Sequence, residues 1–302
     1  MRTKALELTS LSLLRFSGSD AIAFLQGQVS NDTRRLADGA PLLSAYSSAQ
    51  GRVVAVLHLL PHSSGVMAIL PRELALPTLE RLRKFVLRAK VKIEDLSDRY
   101  SVAGAHDSAA IEPENLPAAG TFYSEHEEVA VARVPDGVQS ATPRYWVVSP
   151  RENGAAAPGG DAETRADLAW RLADIRAGLP QVYAATSEEF VAQMLNLDLL
   201  DAISFTKGCY TGQEIIARTQ HLGRIKRRLS RLRLPPGSWS IGQPLRLADG
   251  RTGRVTDVVG VGDGFEALAV LGLRGATPAA DTEAGTGEAV PADELPLPYR
   301  TD

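Results

Sequence analysis

Short apolar runs separated by polar turns fill the first hundred residues. Ala21-Ile22-Ala23-Phe24-Leu25-Gln26, preceded by Ser19-Asp20 and followed by Gly27, has the form of a short capped helix, and Ser30-Asn31-Asp32 that of a polar turn. Val53 to Leu60 and Val66 to Leu70 are β-branched or aliphatic and flank Pro61-His62-Ser63-Ser64-Gly65, which predicts a hairpin with a longer loop. Pro77 suits a first helical position; Leu79, Leu82 and Val86 then keep one apolar face while Glu80, Arg83, Lys84 and Arg88 face water. Strands are expected again at Val91 to Ile93 and Tyr100 to Gly104.

Arg151 to Gly160 holds Asn153-Gly154, three alanines and Pro158-Gly159-Gly160, too few large apolar groups to pack, and reads as a mobile loop or linker. Beyond it Leu168, Leu172 and Ile175 recur at i, i+4 and i+7 behind a Thr164 cap and ahead of Gly178 and Pro180, so this helix has both a start and a stop. From Ile225 the texture changes to short strands punctuated by glycine, at Leu229 to Leu234, Pro244 to Leu247, Arg254 to Val259 and Phe265 to Leu273, the pattern of a small β-barrel. Gly275 to Glu294 is too rich in Ala, Gly, Thr, Pro and acid to offset its ordering entropy and reads as a loose loop, after which Pro296-Leu297-Pro298-Tyr299 can dock back.

With 302 residues, 44% hydrophobic and 23% charged, the chain excludes wholesale disorder, collagen and disulfide scaffolds, and its length suits two or three domains or one barrel. A net charge of -3 removes any whole-chain argument for nucleic acid or membrane surfaces. The longest apolar stretch, Val53 to Leu60, already contains His58 and stops at Pro61, too short to span a bilayer. Glu7 interrupts the N-terminal apolar residues and no cleavage site follows, so a secretory signal is not expected and a cytoplasmic location is. A single cysteine, Cys209, rules out an internal disulfide or a cysteine-rich metal site. Tandem repeats, a P-loop, paired helical histidines and a Gly-x-Gly-x-x-Gly fingerprint are all missing, so the chemistry lies elsewhere.

The stretch Lys207-Gly208-Cys209-Tyr210-Thr211-Gly212-Gln213-Glu214 carries it. Thr211 and Glu214 have capping-box spacing, which would start a helix at Thr211 and end it near Gly223, with Cys209 just ahead of its positive end. Helix dipole and Lys207 ammonium together would favour the thiolate form of Cys209. Gly208 and Gly212 permit unusual backbone angles and close ligand approach. Against this stands the ordinary reading of a lone cysteine as a small buried hydrophobe. A Cys-His-Asn nucleophile finds little support, because only His221 of the five histidines is near in sequence, and it reads as a charge at the helix C-terminus.

These eight residues resemble the Lys-Gly-Cys-Tyr-x-Gly-Gln-Glu signature of the YgfZ family, folate-binding relatives of the glycine-cleavage T-protein, at every position. Phe24-Leu25-Gln26-Gly27-Gln28 with Asn31-Asp32 resembles the family's opening motif, and Gln50-Gly51-Arg52 its glycine turn. Gly178-Leu179-Pro180, Gln193, Asn196-Leu197-Asp198, Ile203-Ser204-Phe205 and Pro296-Leu297-Pro298-Tyr299 follow in family order. The resemblance implies an α+β, T-protein-like multi-domain body with ferredoxin-like pieces around a central folate cavity, followed by a small β-barrel. That places a body of two intertwined subdomains at 1–225 and a barrel at 226–302. It further implies that tetrahydrofolate or a derivative is held by Gln26, Asn31, Gln193, Asn196, Lys207, Gly208, Tyr210, Gly212, Gln213 and Glu214, with Cys209 and Lys207 as the reactive groups. Amides of Gln193 and Asn196 suit a pterin edge, and equally suit bridging a loop.

T-proteins carry paired aspartates after the glycine turn, where this chain has Ala55 and Val56, and an acid in the later helix where it has Arg176. None of these three replacements can act as a carboxylate, so aminomethyl transfer by that route is not expected. The resemblance instead implies a folate-binding accessory role in assembly or repair of iron-sulfur enzymes, including those that modify tRNA, with their client or assembly proteins as partners. One cysteine cannot hold a cluster alone, so any contact would be shared or transient. The basic run Gly223-Arg224-Ile225-Lys226-Arg227-Arg228, continuing to Arg231 and Arg233, invites a tRNA contact, but Leu232 and Leu234 alternate with the arginines as in a half-buried strand with a solvated face.

Overall fold

The computed structural model describes residues 5–118, 123–126, 128–134, 143–151, 163–221, 225–275 and 289–301. Most of the expected loop at Arg151 to Gly160, the Gly223 helix stop and the middle of Gly275 to Glu294 lie outside these residues.

The architecture is α+β, with three five-stranded sheets among the described residues. In chain order the strands are β1 (Leu6–Glu7), β2 (Leu11–Ser17), β3 (Leu42–Ser47), β4 (Val53–His62), β5 (Gly65–Pro71), β6 (Lys92–Asp95), β7 (Tyr100–Ala105), β8 (Tyr123–His126), β9 (Val129–Arg133), β10 (Tyr145–Pro150), β11 (Arg227–Leu234), β12 (Pro244–Arg246), β13 (Thr252–Val261), β14 (Gly264–Gly272) and β15 (Asp293–Leu295). The helices are α1 (Ala21–Gln26), α2 (Arg72–Arg83), α3 (Arg165–Ala177) and α4 (Gln213–His221). One sheet runs β3-β4-β5-β2-β6, a second β1-β7-β10-β9-β8, and a third β12-β13-β14-β11-β15.

Strand β4 is an interior strand of the first sheet and every residue from Val53 to Leu60 is buried, as expected of a strand covered on both faces. Its hairpin with β5 is tighter than the sequence suggests: Pro61 pairs with Val66 and His62 with Gly65, leaving Ser63-Ser64 as the turn. Gly65, at φ +133°, abuts Phe16 and admits no side chain. α2 likewise starts earlier than expected, at Arg72, so that Pro77 lies inside it on the exposed face. The expected apolar face of α2 is otherwise kept, with Leu79 and Leu82 buried, Val86 packed on the core just past the helix end, and Glu80 exposed. α1 forms as expected, but Asp20 does not cap it through its side chain; that carboxylate accepts from the Lys90 amide at 2.7 Å.

α3 has the expected ends. Thr164 and Asp167 form a reciprocal capping box and Gly178 closes the helix at φ +66°. Its buried face is different: Asp167, Trp170, Arg171 and Ile175 point inward while Leu168 is exposed and Leu172 only half-buried. Polar residues win that face because each finds a partner. Asp167 accepts from Ser10 and Thr9, and Arg171 reaches Asp257 on β13.

The third sheet closes on itself. Val290 bridges Leu247 in parallel and a few residues on β15 pairs with β11, so one segment joins the two edges. That segment belongs to the stretch expected to be loose; Val290 to Glu294 is ordered by these ladder bonds. Leu232, Leu234, Leu245, Leu247, Ala267, Ala269 and Leu271 fill the barrel. Leu229, Val259, Leu268 and Val270 join the main core instead, so the barrel docks by one outer face. A register shift between Val255 and Asp257 aims Asp257 at Arg171. Glu266, buried on β14, pairs with both Arg176 and Arg231, and Arg228 pairs with Asp198 at 2.9 Å. Two arginines of the basic run are therefore spent on this seam, as the half-buried strand reading requires.

Candidate functional site

Three stretches separate in sequence meet at the end of β4 where Gly51 lies. The turn Ser48 to Arg52 is closed by Gly51 N–H to Ser48 O at 2.9 Å. Gly51 (φ +70°) and Gly212 (φ +81°) face each other: a Cβ on Gly212 would stand 2.6 Å from Ser48 O, and one on Gly51 2.7 Å from Ile215 Cβ. Only glycine at both positions lets this turn approach the start of α4. The Thr211 amide donates to Gly27 O, and Ser30 Oγ to Ala202 O at 2.7 Å, drawing in the opening motif.

α4 begins at Gln213, with Gly212 O accepting from Ile216 N–H. The expected Thr211–Glu214 box is replaced by Gln213, whose Oε1 accepts from the Tyr210 amide, and Glu214 is exposed. The helix is described as far as His221.

Lys207 does not serve Cys209. Its ammonium turns inward and donates to Val29 O at 2.8 Å and Asn31 O at 2.7 Å, 4.9 Å from the Tyr210 ring. Burial pulls its pKa down to about 8, with Asp32 opposing and Arg34 adding to the fall. Burial also pushes Tyr210 up to about 12. Between these two anchors Gly208 and Cys209 are exposed, so the thiol sits at the tip of a turn pinned on both sides. The buried-hydrophobe reading of Cys209 is excluded.

The amides of the opening motif are occupied from within. Gln26 donates to Asp32 and accepts from Thr33, and Asn31 donates to Leu43 O and Asp201 O while accepting from the Asp32 amide. Gln193 is fully buried and donates to Ile216 O at 2.7 Å, with its Oε1 unpartnered. Asn196, at φ +58°, lies apart from the signature turn at the barrel seam, bonded to Leu229 O and in contact with Arg228 and Tyr299.

A second group was not legible in the sequence. Trp146 on β10 and Trp170 on α3 lie with ring centroids 4.5 Å apart, His58 of β4 stands 5.1 Å from Trp146, and His106 stands 5.5 Å from Trp170. The Arg144 guanidinium lies 4.7 Å over Trp170 and is paired with Asp174 at 2.7 Å. This cluster joins the first sheet, the second sheet and α3. Both tryptophans are 2% exposed, yet the indole nitrogens of both and Nδ1 of His58 have no hydrogen-bond partner among the described residues. Native proteins pair most such groups. Burial first, then the Arg144 charge, holds His58 down to about 3 and lowers His106. Gly104 makes the packing possible, since a Cβ there would fall 2.3 Å from the Trp170 ring. The chain has only three tryptophans, and that scarcity was the one available sequence signal.

No protein-family model matches the chain. Curated relatives do. The tRNA-modifying protein YgfZ of Colwellia psychrerythraea is 33% identical over 232 residues, 75% of this chain and 70% of the relative, and that of Escherichia coli is 32% identical over 287 residues, 87% and 83%. The chain belongs to the YgfZ family. The crystal structure of glycine cleavage system aminomethyltransferase T from Bartonella henselae matches with a TM-score of 0.62 at 16% identity, covering 90% of this chain and 79% of that one, which shows a shared fold. In this YgfZ-family chain Ala55 and Val56 are wholly buried in β4, and Arg176 is bound to Glu266 on the barrel. No group of three or more His, Cys, Asp or Glu side chains able to hold a metal occurs among the described residues, nor any helix long and apolar enough to cross a membrane.

Proposed function

We propose that the protein binds tetrahydrofolate or a derivative in the central aromatic cluster and, so loaded, supports the assembly or repair of iron-sulfur enzymes, those that modify tRNA among them. The observation that carries the folate part is the cluster itself: three unpartnered buried ring nitrogens, on two mutually tilted indoles and an imidazole, where three structural units meet. Interdomain cavities lined by aromatics with a few polar groups are common sites for ring-shaped ligands. The tRNA part is supported by what the relatives are called. In this reading residues 1–225 form the ligand-binding body and 226–302 a barrel that braces it.

The signature turn has a different task. Lys207 and Tyr210 hold it, and Cys209 presents an exposed thiol to a partner, completing a cluster contact that one cysteine cannot make alone. Aminomethyl transfer is the second reading, and the apolar Ala55 and Val56 with the ion-paired Arg176 speak against it, because no carboxylate stands at either position to manage charge on the transferred group.

Anaerobic calorimetric titration with tetrahydrofolate tests the first part. Saturable micromolar to sub-millimolar binding is expected for the wild type, with Trp170→Leu losing most of it. A folded wild type that gives no saturable heat refutes the folate assignment. In cells lacking the protein, wild type should restore iron-sulfur enzyme activity, and Cys209→Ser should bind folate normally yet fail to restore it; full restoration by Cys209→Ser would exclude the thiol.

A further inference from the structure

The turn that follows α2 sorts its side chains into two sets. Val86, Ala89 and Val91 pack against the main core, while Lys84, Phe85, Leu87, Arg88 and Lys90 are exposed. Backbone amides hold that sorting: Phe85 donates to Leu82 O at 3.0 Å, Ala89 to Val86 O at 2.8 Å, and Lys90 to the Asp20 carboxylate at 2.7 Å. Leu87 is 88% exposed and Phe85 46%. Leu87 also has φ +39°, in the left-handed region that suits glycine or asparagine better than leucine. This leucine neither packs within the chain nor eases the turn, so its value lies in what meets it from outside.

Charge narrows the choice of partner. The side chains of Lys84, Arg88 and Lys90 have no hydrogen bond or ion pair among the described residues. Their cationic neighbours are engaged: Arg81 with Glu188, Arg83 with Ile93 O at 2.9 Å, and Lys92 with Glu94 at 2.9 Å. The neighbouring acids are Asp20, occupied by the Lys90 amide and Ser19, and Glu80, exposed one helical turn before Lys84. In a chain of net charge -3 this is a local basic face, and its complement is an anion. A nucleic acid answers the cations and gives Phe85 a base to stack on, but presents no hydrocarbon to Leu87. An acidic protein needs a fitted socket for the protruding leucine. A bilayer containing anionic lipid answers all five groups: headgroup phosphates meet the three cations, and the acyl chains below them meet Phe85 and Leu87.

We propose that the exposed face of residues 84–90 is a peripheral docking surface for anionic lipid bilayers, with Phe85 and Leu87 inserted below the headgroups and Lys84, Arg88 and Lys90 at the phosphates. Nothing crosses the bilayer in this arrangement, because α2 keeps Leu74, Leu79 and Leu82 in the protein core. Two apolar side chains and three cations make a weak, reversible anchor. The face shares no residue with the aromatic cluster or the signature turn, so it stands whether or not either of them binds a ligand.

The test sediments the full chain with vesicles of phosphatidylcholine alone and of an equal mixture of phosphatidylcholine and phosphatidylglycerol. Wild type should sediment with the mixture only, and added salt should release it. Lys84→Gln, Arg88→Gln and Lys90→Gln combined should weaken binding about 100-fold, near fivefold for each cation. Leu87→Gly, which also relieves the left-handed turn, and Phe85→Ser should each weaken it about tenfold. All five side chains are exposed, so melting temperatures should stay at the wild-type value. A wild type that does not sediment with the mixture overturns the proposal, and this comparison decides even if a variant melts lower. Wild-type binding by the charge-stripped variant also overturns it. So does wild-type binding by both Leu87→Gly and Phe85→Ser, which leaves a cationic face that inserts nothing. Polyuridylate titrated in the same buffer supplies the remaining outcome: retention tighter than that of the vesicles, lost in Phe85→Ser, makes the face an RNA surface and overturns the lipid assignment.

Discussion

Lys207 spends its charge on two backbone carbonyls of residues 178 and 176 positions away, and this decides what Cys209 can be. Removing those donors strands Val29 O and Asn31 O in a buried site. Lys207→Met should therefore cost about 2 to 3 kcal/mol of unfolding free energy. Cys209→Ser, at an exposed tip, should stay within about 0.5 kcal/mol. Urea midpoints at unchanged slope measure both; equal midpoints for the two variants would show that Lys207 is not an anchor. The sequence placed Lys207 beside the cysteine correctly and its charge wrongly. A flexible four-carbon side chain can turn either way, and what turned it inward were carbonyls exposed by the opening motif, beyond the reach of local pattern. Gln193 and Asn196 carry the same lesson, since only the packed structure shows one reaching α4 and the other the barrel.

At the level of elements, the caps of α3 were legible and its buried face was not. Thr164 and Gly178 bound α3 because their chemistry is local. The buried side of α3 depends on Ser10, Asp257 and Gly104, which no periodicity within residues 164–178 encodes. Gly104 offers a direct check on how closely α3 must sit on β7. Gly104→Ala forces a Cβ into the Trp170 ring and should cost about 1 to 3 kcal/mol, with a shifted tryptophan emission from the displaced indole. Unchanged stability and emission would mean that the helix can retreat without penalty. β4 and β5 were found from their apolar runs, but the hairpin turn was overestimated because Pro61 and His62 continue the ladder, Pro61 on its carbonyl side alone.

For the whole molecule the barrel was legible from alternation and glycine, while the central cluster was not, because residues 58, 106, 144, 146, 170 and 174 come from different units and share no spacing. That cluster also governs acid behaviour. His58 titrates near 6.5 when unfolded and near 3 when folded, so the unfolded chain binds the extra proton between those values. The resulting stability is whole above pH 6.5 and is lost as pH falls toward 3, at up to about 1.4 kcal/mol per pH unit. His62 and His106, also lowered by burial, add in the same direction. His58→Leu should flatten the decline between pH 6.5 and 4.5, measured by urea unfolding across pH, and an unaltered slope would show that His58 is not the group responsible. One further contact sets an order of events during synthesis. The carbonyl of Gly178, at the end of α3, accepts from the Tyr299 hydroxyl at 2.6 Å, and 121 residues separate the two. A ribosome making this chain releases α3 with that carbonyl bare, and the whole barrel between the two residues must be synthesised before this last contact can close.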